Sequence, residues 1–169
     1  INLRWIGIIG QLISVYLVYF YFDFDFNFIL ANLFISIGVI GNLYLIFIYK
    51  KTQLTDRSAF IHLFIDIIQL SGLIYLTGGV KNPFIIFLII PSVFASSNLS
   101  FKTNSLLVLL TTLSIVGLTF FSKDLPGPLS DHFHVSNYYI YAIPLSLIIA
   151  LFFLNYFAII FGAESKLRK

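Results

Sequence analysis

The sequence predicts an all-α polytopic membrane protein, a six-transmembrane-helix bundle with both termini cytoplasmic. Three observations carry this. The 169 residues have a hydrophobic fraction of 59% and a mean hydropathy of +0.99. Charged residues make up 10%, against about 25% in soluble domains. Several apolar runs approach or exceed the roughly 20 residues that span a bilayer, and Lys and Arg fall mostly to one side of those runs.

The first span is expected from about Trp5 to Phe22, ended by the acidic turn Asp23-Phe24-Asp25-Phe26-Asn27. The second runs from about Phe28 to Tyr49 and is closed by Lys50-Lys51, which anchors it and sets topology. The third starts near Ser58 and stops at Thr77. The fourth, Pro83 to about Ser97, is short, about 22 Å as an α-helix. The fifth covers about Asn104 to Phe121, and after a polar loop the sixth runs from about Tyr138 to Phe161. With six spans both ends share a side. On it lie Arg4, Lys50, Lys51, Arg57, Lys102, Lys166, Arg168 and Lys169; only Lys81 and Lys123 lie on the other. Eight against two points to cytoplasmic termini by the positive-inside rule.

Small residues at Gly7, Gly10 and Ser14, and at Gly38 and Gly41, are expected to let helix backbones approach closely. Tyr16, Tyr19, Tyr21, Tyr138, Tyr139 and Tyr141 cluster near span ends, as an aromatic belt does. The net charge of +3 reflects topology and implies no nucleic-acid partner. Zero cysteines exclude disulfides and thiolate metal sites within the sequence. The chain begins at Ile1 and holds no Met, so a larger parent chain is expected. It shows no cleavable signal-peptide pattern and no internal repeat.

Between the third and fourth spans stands Gly78-Gly79-Val80-Lys81-Asn82-Pro83-Phe84, a polar break facing the outer side. Glycines there can take the left-handed conformation that closes a helix. Pro83 suits a first helical turn, and Asn82 then stands at the N-cap, where its oxygen can accept a backbone N–H. A well-capped turn accounts for these residues on its own. A ligand reading also fits. The turn would offer backbone N–H groups, the Asn82 amide and the Thr77 hydroxyl beside Phe84 and Tyr75. Those groups suit a flat ring bearing two carbonyls, since an amide both donates and accepts.

Gly78-Gly79-x-x-Asn82-Pro83-Phe84 matches the GGxxNPF motif of the RegB/PrrB redox-sensing histidine kinases. Leu3-Arg4-Trp5 with Gly10-Gln11 resembles the start of that family's first span. Asp66-Ile67-Ile68-Gln69-Leu70, running into Leu76-Thr77, resembles its approach to the motif, and Pro91 and Arg168 also fit. The resemblance covers essentially the whole chain. It implies that residues 1–163 are a six-span sensory domain of a two-component sensor kinase in a bacterial inner membrane. Residues 164–169 would begin a cytoplasmic linker to a kinase core. It further implies ubiquinone or another quinone as ligand at Gly78, Gly79, Asn82, Pro83 and Phe84, with Thr77 and Tyr75 beside them. A homodimer and a cognate response regulator are the implied partners, besides the lipid bilayer. The family's phosphoacceptor histidine, ATP-binding domain and redox-active cysteine lie beyond its membrane domain, so no catalytic residue is expected here.

Other polar residues remain open between roles. Asp66 is the only acidic residue inside a span, which is a functional signal by default. His62 and Gln69 share its face at i−4 and i+3. A relay is one reading; a neutral Asp66 hydrogen-bonded to a neighbouring helix is the other. Asp66 stands about 18 Å below Gly78 along the helix, too far to touch a ligand at the break. Pro91 is expected to interrupt the ladder of the fourth helix, as a hinge or a static bend. Asp131, His132 and His134 in the outer loop could bind a metal, but a solvated loop explains them and no metal is expected. A small transporter or channel, with the outward break as gate, is the alternative function. It would need a polar path, and His62, Asp66 and Gln69 on one helix are its strong candidates. An intramembrane enzyme finds no nucleophile or metalloprotease motif.

Overall fold

The computed structural model describes residues 2–48, 55–124 and 136–167. Six apolar helical segments follow one another: α1 (Asn2–Phe20), α2 (Phe28–Ile48), α3 (Asp56–Leu76), a fourth segment ending in α4 (Ile90–Asn98), α5 (Phe101–Phe120) and α6 (Asn137–Leu167). Four of them, α2, α3, α5 and residues Asn137–Ala163 of α6, are long and apolar enough to cross a membrane. The described basic residues sort by side: Arg4, Arg57 and Lys102 open α1, α3 and α5, and Lys166 lies in the last turn of α6. Lys81 and Lys123 stand at the opposite end of the bundle. Lys50, Lys51, Asp131, His132, His134, Arg168 and Lys169 lie outside the described residues.

Capping explains the helix starts. Thr55 accepts the Ser58 amide at the head of α3, and Asn27 Oδ1 accepts the Leu30 amide at 3.0 Å to start α2. Each satisfies an orphan donor of a first turn. On the basic side the Ser100 amide donates to Asp56 Oδ2 at 3.0 Å, tying the α4–α5 turn to the start of α3. The α1–α2 turn tucks Phe26 inward against Tyr19, whose ring stacks on Phe28 at 4.4 Å. Asp23 in that turn has a φ of 52°.

The helices pack as a chain, α1 on α2, α2 on α3, α3 on α5, with α4 and α6 closing the far side. Two apolar cores result, and α3 divides its residues between them. Leu73 and Leu76 join Ile8, Val15 and Ile35 of α1 and α2. Ile67 and Ile74 join Leu88, Leu107, Ile115 and Leu151 of the later segments. Elsewhere the surface is apolar, with residues such as Ile6, Phe47, Phe120 and Phe153 more than half exposed. Such a surface suits lipid, where the alternative to exposure carries no aqueous penalty.

Three expectations change. The fourth span is not a uniform α-helix: Pro83–Ile89 form a 3-10 helix of seven residues before α4 begins. At about 2.0 Å per residue that stretch is roughly 14 Å long, and α4 adds about 13 Å. The segment therefore nearly matches the ~30 Å hydrocarbon thickness, which the same residues as α-helix would not reach. Pro91 correspondingly does not break a ladder. It occupies the first turn of α4, where its missing N–H leaves nothing unpaired. Finally, Gly7 and Gly10 do not mediate packing: a methyl group at either would meet nothing within 4 Å. The close approaches occur elsewhere. A Cβ on Gly72 would lie 2.3 Å from the Phe34 ring, and one on Gly162 would lie 3.1 Å from the Ser97 carbonyl.

α6 is also longer than expected. It continues without interruption from Asn137 to Leu167, past Phe161, with Pro144 inside it. Its 31 residues make about 46 Å of helix, so α6 outreaches the hydrocarbon core.

Candidate functional site

The outward turn builds itself from short-range bonds. α3 ends at Thr77, whose amide donates to Ile74 O. Gly78 follows at φ 109° and Gly79 at φ 57°. Two successive left-handed residues reverse the chain, a conformation other residues adopt only at about 1–2 kcal/mol each. Gly79 has a second constraint: a Cβ there would stand 2.3 Å from the Ser122 side chain and 2.9 Å from Leu118 O. Gly79–Lys81 then form one 3-10 turn, closed by the Asn82 amide on Gly79 O at 3.1 Å. The Lys123 amide donates to Tyr75 O at 3.1 Å, so the end of α5 is stitched to the end of α3 beside the turn.

Asn82 is the hub. Its Oδ1 accepts the Phe84 amide at 2.9 Å, capping the 3-10 helix that Pro83 opens. Its Nδ2 donates to Thr77 Oγ1 at 2.6 Å, and that hydroxyl donates to Leu73 O at 2.9 Å. The three residues thus lock the end of one span to the start of the next. Gly78, Gly79 and Val80 are buried, as is Asn82 at 8% exposure. The backbone of the glycine pair is therefore turned into the bundle rather than outward, contrary to the idea that its amides are presented at the surface. Pro83, Phe84 and Tyr75 are exposed, and Phe84 stacks on Phe87 at 5.9 Å between centroids. Asn82 retains one N–H and one lone-pair direction beyond its two bonds, since an amide offers four positions.

The intramembrane polar residues do not form a single path. Asp66 Oδ1 is ion-paired with Arg4 Nη2 of α1. Gln69 Nε2 donates to Gln11 Oε1 at 2.6 Å. His62 Nδ1 lies 2.8 Å from Ser58 O, and its ring stacks on Tyr44 of α2 at 5.9 Å. Each of the three thus has a different partner. The two bridges reach from α1 to α3 past α2, where Gly38 makes room for Gln69 and Gly41 lies in ordinary contact range of Arg4. A Cβ on Gly38 would lie 3.1 Å from Gln69 Oε1, and one on Gly41 would lie 3.6 Å from Arg4 Nη2. The neighbouring-helix bond of Asp66 therefore goes to a cation, the pairing that makes an intramembrane carboxylate tolerable. Arg4 and Gln11 as partners escaped the sequence reading. Their spacing of seven on α1, one face of a helix, facing a carboxylate and an amide three apart on α3, was the available signal.

A family model for the PilS-like transmembrane domain matches residues 1–165. The chain belongs to the PilS-like transmembrane domain family. It is also 29% identical over 162 residues to the sensor histidine kinase RegB of Cereibacter sphaeroides, which covers 94% of this chain. The chain spans about a third of that relative's length, 34%. No solved structure matches the chain. The resemblance to the RegB family is thereby borne out, and so is the six-helix membrane bundle. In this PilS-like domain the GGxxNPF residues make one hydrogen-bonded turn, and Asp66 and Gln69 of α3 belong to a separate crossing to α1.

Proposed function

We propose that this domain is the sensory part of a membrane histidine kinase, and that it reads redox state by binding a quinone, such as ubiquinone, at the outward turn 78–84. The observation that carries this is the convergence of Thr77, Asn82 and Phe84 in one cluster beside an exposed aromatic face. The remaining amide positions of Asn82 suit a quinone carbonyl or a quinol hydroxyl, and the Phe84 ring offers a face for the flat head. Tyr75, exposed near the end of α3, is a further candidate contact.

A bound head bears on the two bonds that join α3 to the fourth segment. It shifts signalling only through different affinities for the two states. α6 packs on α4 and continues toward the basic side, so it is the route to a kinase core. The cytoplasmic orientation of both termini, a bacterial inner membrane, a homodimer, and a response regulator as partner of the whole kinase belong to the same proposal. The transport reading is less well supported, because Arg4, Gln11, Asp66 and Gln69 bond one another rather than facing a permeant.

The test is equilibrium ubiquinone binding to the purified protein. Asn82→Ala removes both the cap and the ligand donor and is expected to cost about 1 kcal/mol of stability. Asn82→Ser keeps an oxygen for the Phe84 amide and replaces the amide N–H groups with one shorter hydroxyl. Both variants are expected to bind at least about tenfold more weakly, the loss of roughly one charge-free hydrogen bond in a desolvated site. Wild-type affinity in both, with the helical fold retained, overturns the role of Asn82.

A further inference from the structure

The seven-residue 3-10 helix at Pro83–Ile89 is longer than the three or four residues usual for this geometry. Side chains at i and i+3 eclipse one another in a 3-10 helix, so the segment carries straight rows rather than a spiral. One row, Ile85, Leu88 and Pro91, is buried against the bundle. The next, Phe84, Phe87 and Ile90, is exposed along its length at 43%, 46% and 48%. It forms a straight apolar rail that starts at the residue whose amide Asn82 holds and runs into the bilayer. Beside the rail lies an open groove of ≈ 440 Å³, walled by Ile86, Phe87, Ile90, Val93 and Phe94 on one side and by Leu154 of α6 on the other. Every one of these residues is apolar.

We propose that this groove holds the isoprenoid tail of the quinone. The proposal rests on the head site described above and adds where the rest of the molecule lies. The occupant follows from continuity. The rail begins at Phe84 and reaches Phe94 after about 12 Å of 3-10 helix and about 6 Å of α-helix, enough for several isoprene units. A tail leaving a head at Asn82 enters this groove first, at an effective concentration that an untethered lipid chain lacks. No hydrophobic gain drives it, because lipid is as apolar as the groove; shape and tethering do. The position also has a consequence. A tail between the fourth segment and Leu154 touches both members of the pair that ends in the Gly162–Ser97 approach. It therefore bears on the seating of α6 against α4.

The experiment measures binding of quinones with one head and increasing tail length, in lipid nanodiscs, at equal mole fraction in the membrane so that partitioning drops out. The variants are Ile90→Ala and Leu154→Ala, with Phe153→Ala as a lipid-facing control on α6, 63% exposed. The long-tailed quinone is expected to bind about tenfold tighter than the tail-less head. Ile90→Ala and Leu154→Ala should remove most of that difference without changing binding of the tail-less head, and Phe153→Ala should change neither. If the head binds but tail length and both variants have no effect, ordinary lipid fills the groove and this proposal falls while the head site stands. If no quinone of any length binds, both fall together.

Discussion

The outward turn and the polar crossing of α1 and α3 are both amide-rich clusters of a membrane domain, yet they are built oppositely. In the turn, Asn82 bonds residues five and two positions away. In the crossing, Arg4 and Asp66 are 62 positions apart, and Gln11 and Gln69 are 58 apart. The turn needs only local geometry: two glycines at positive φ, a proline and a cap. The crossing needs a third helix to step aside, which Gly38 of α2 does at Gln69 by having no side chain. The comparison teaches that small residues in this bundle serve side-chain passage as much as backbone contact. Gly7 and Gly10, in an equally suggestive pattern, meet nothing.

The largest effect should come from splitting the crossing. Arg4 and Asp66 are only 18% and 17% exposed, so Arg4→Leu or Asp66→Leu leaves a charge without its partner, at a cost of about 2–4 kcal/mol. The double variant Arg4→Leu/Asp66→Leu should recover most of that loss in a double-mutant cycle read by unfolding in mild detergent. Additive losses would show that the two residues act separately.

Next comes the turn. Gly79→Ala forces a left-handed alanine and a clash with Ser122, and should cost about 2 kcal/mol or more. Adding Ser122→Gly relieves the side-chain clash but neither the approach to Leu118 O nor the left-handed backbone, so thermal unfolding should show partial rescue. Full rescue would mean that neither φ at Gly79 nor the Leu118 carbonyl carries a cost.

The smallest effect sharpens the glycine comparison. Gly38→Ala pushes on Gln69 and should destabilise by about 1 kcal/mol. Gly7→Ala, in open space, should be neutral or stabilise by about 0.5 kcal/mol, since alanine is the better helix former. Equal effects of the two in the same unfolding assay would remove the distinction between passage and exposed glycines.

Much of this was legible before the fold was known. Helix placement followed from apolar runs of bilayer length, and observed ends fall within a few residues of the expected ones except at α6. The positive-φ glycines and the Asn82 cap follow from residue types at adjacent positions. The 3-10 helix was not legible for a physical reason: all nine residues from Pro83 to Pro91 are apolar, so hydropathy shows no period of either three or 3.6. Only packing distinguishes the buried row of Ile85 and Leu88 from the exposed row of Phe84 and Phe87. The role of Pro91 depends on the same boundary, because a proline breaks a helix or begins one according to where the α-helix starts.

By itself, the sequence determined that the chain is a six-helix membrane bundle, on which side its basic residues gather, and that a capped reversal separates the third and fourth segments. These depend on composition and on neighbours in the chain. Only the tertiary structure decided that Asp66 meets Arg4, that Gln69 meets Gln11, that Gly38 of α2 yields space to Gln69, and that the fourth segment stretches as a 3-10 helix. Each depends on which faces of distant helices come together, and a few polar residues on otherwise apolar faces mark candidates without specifying which of them meet.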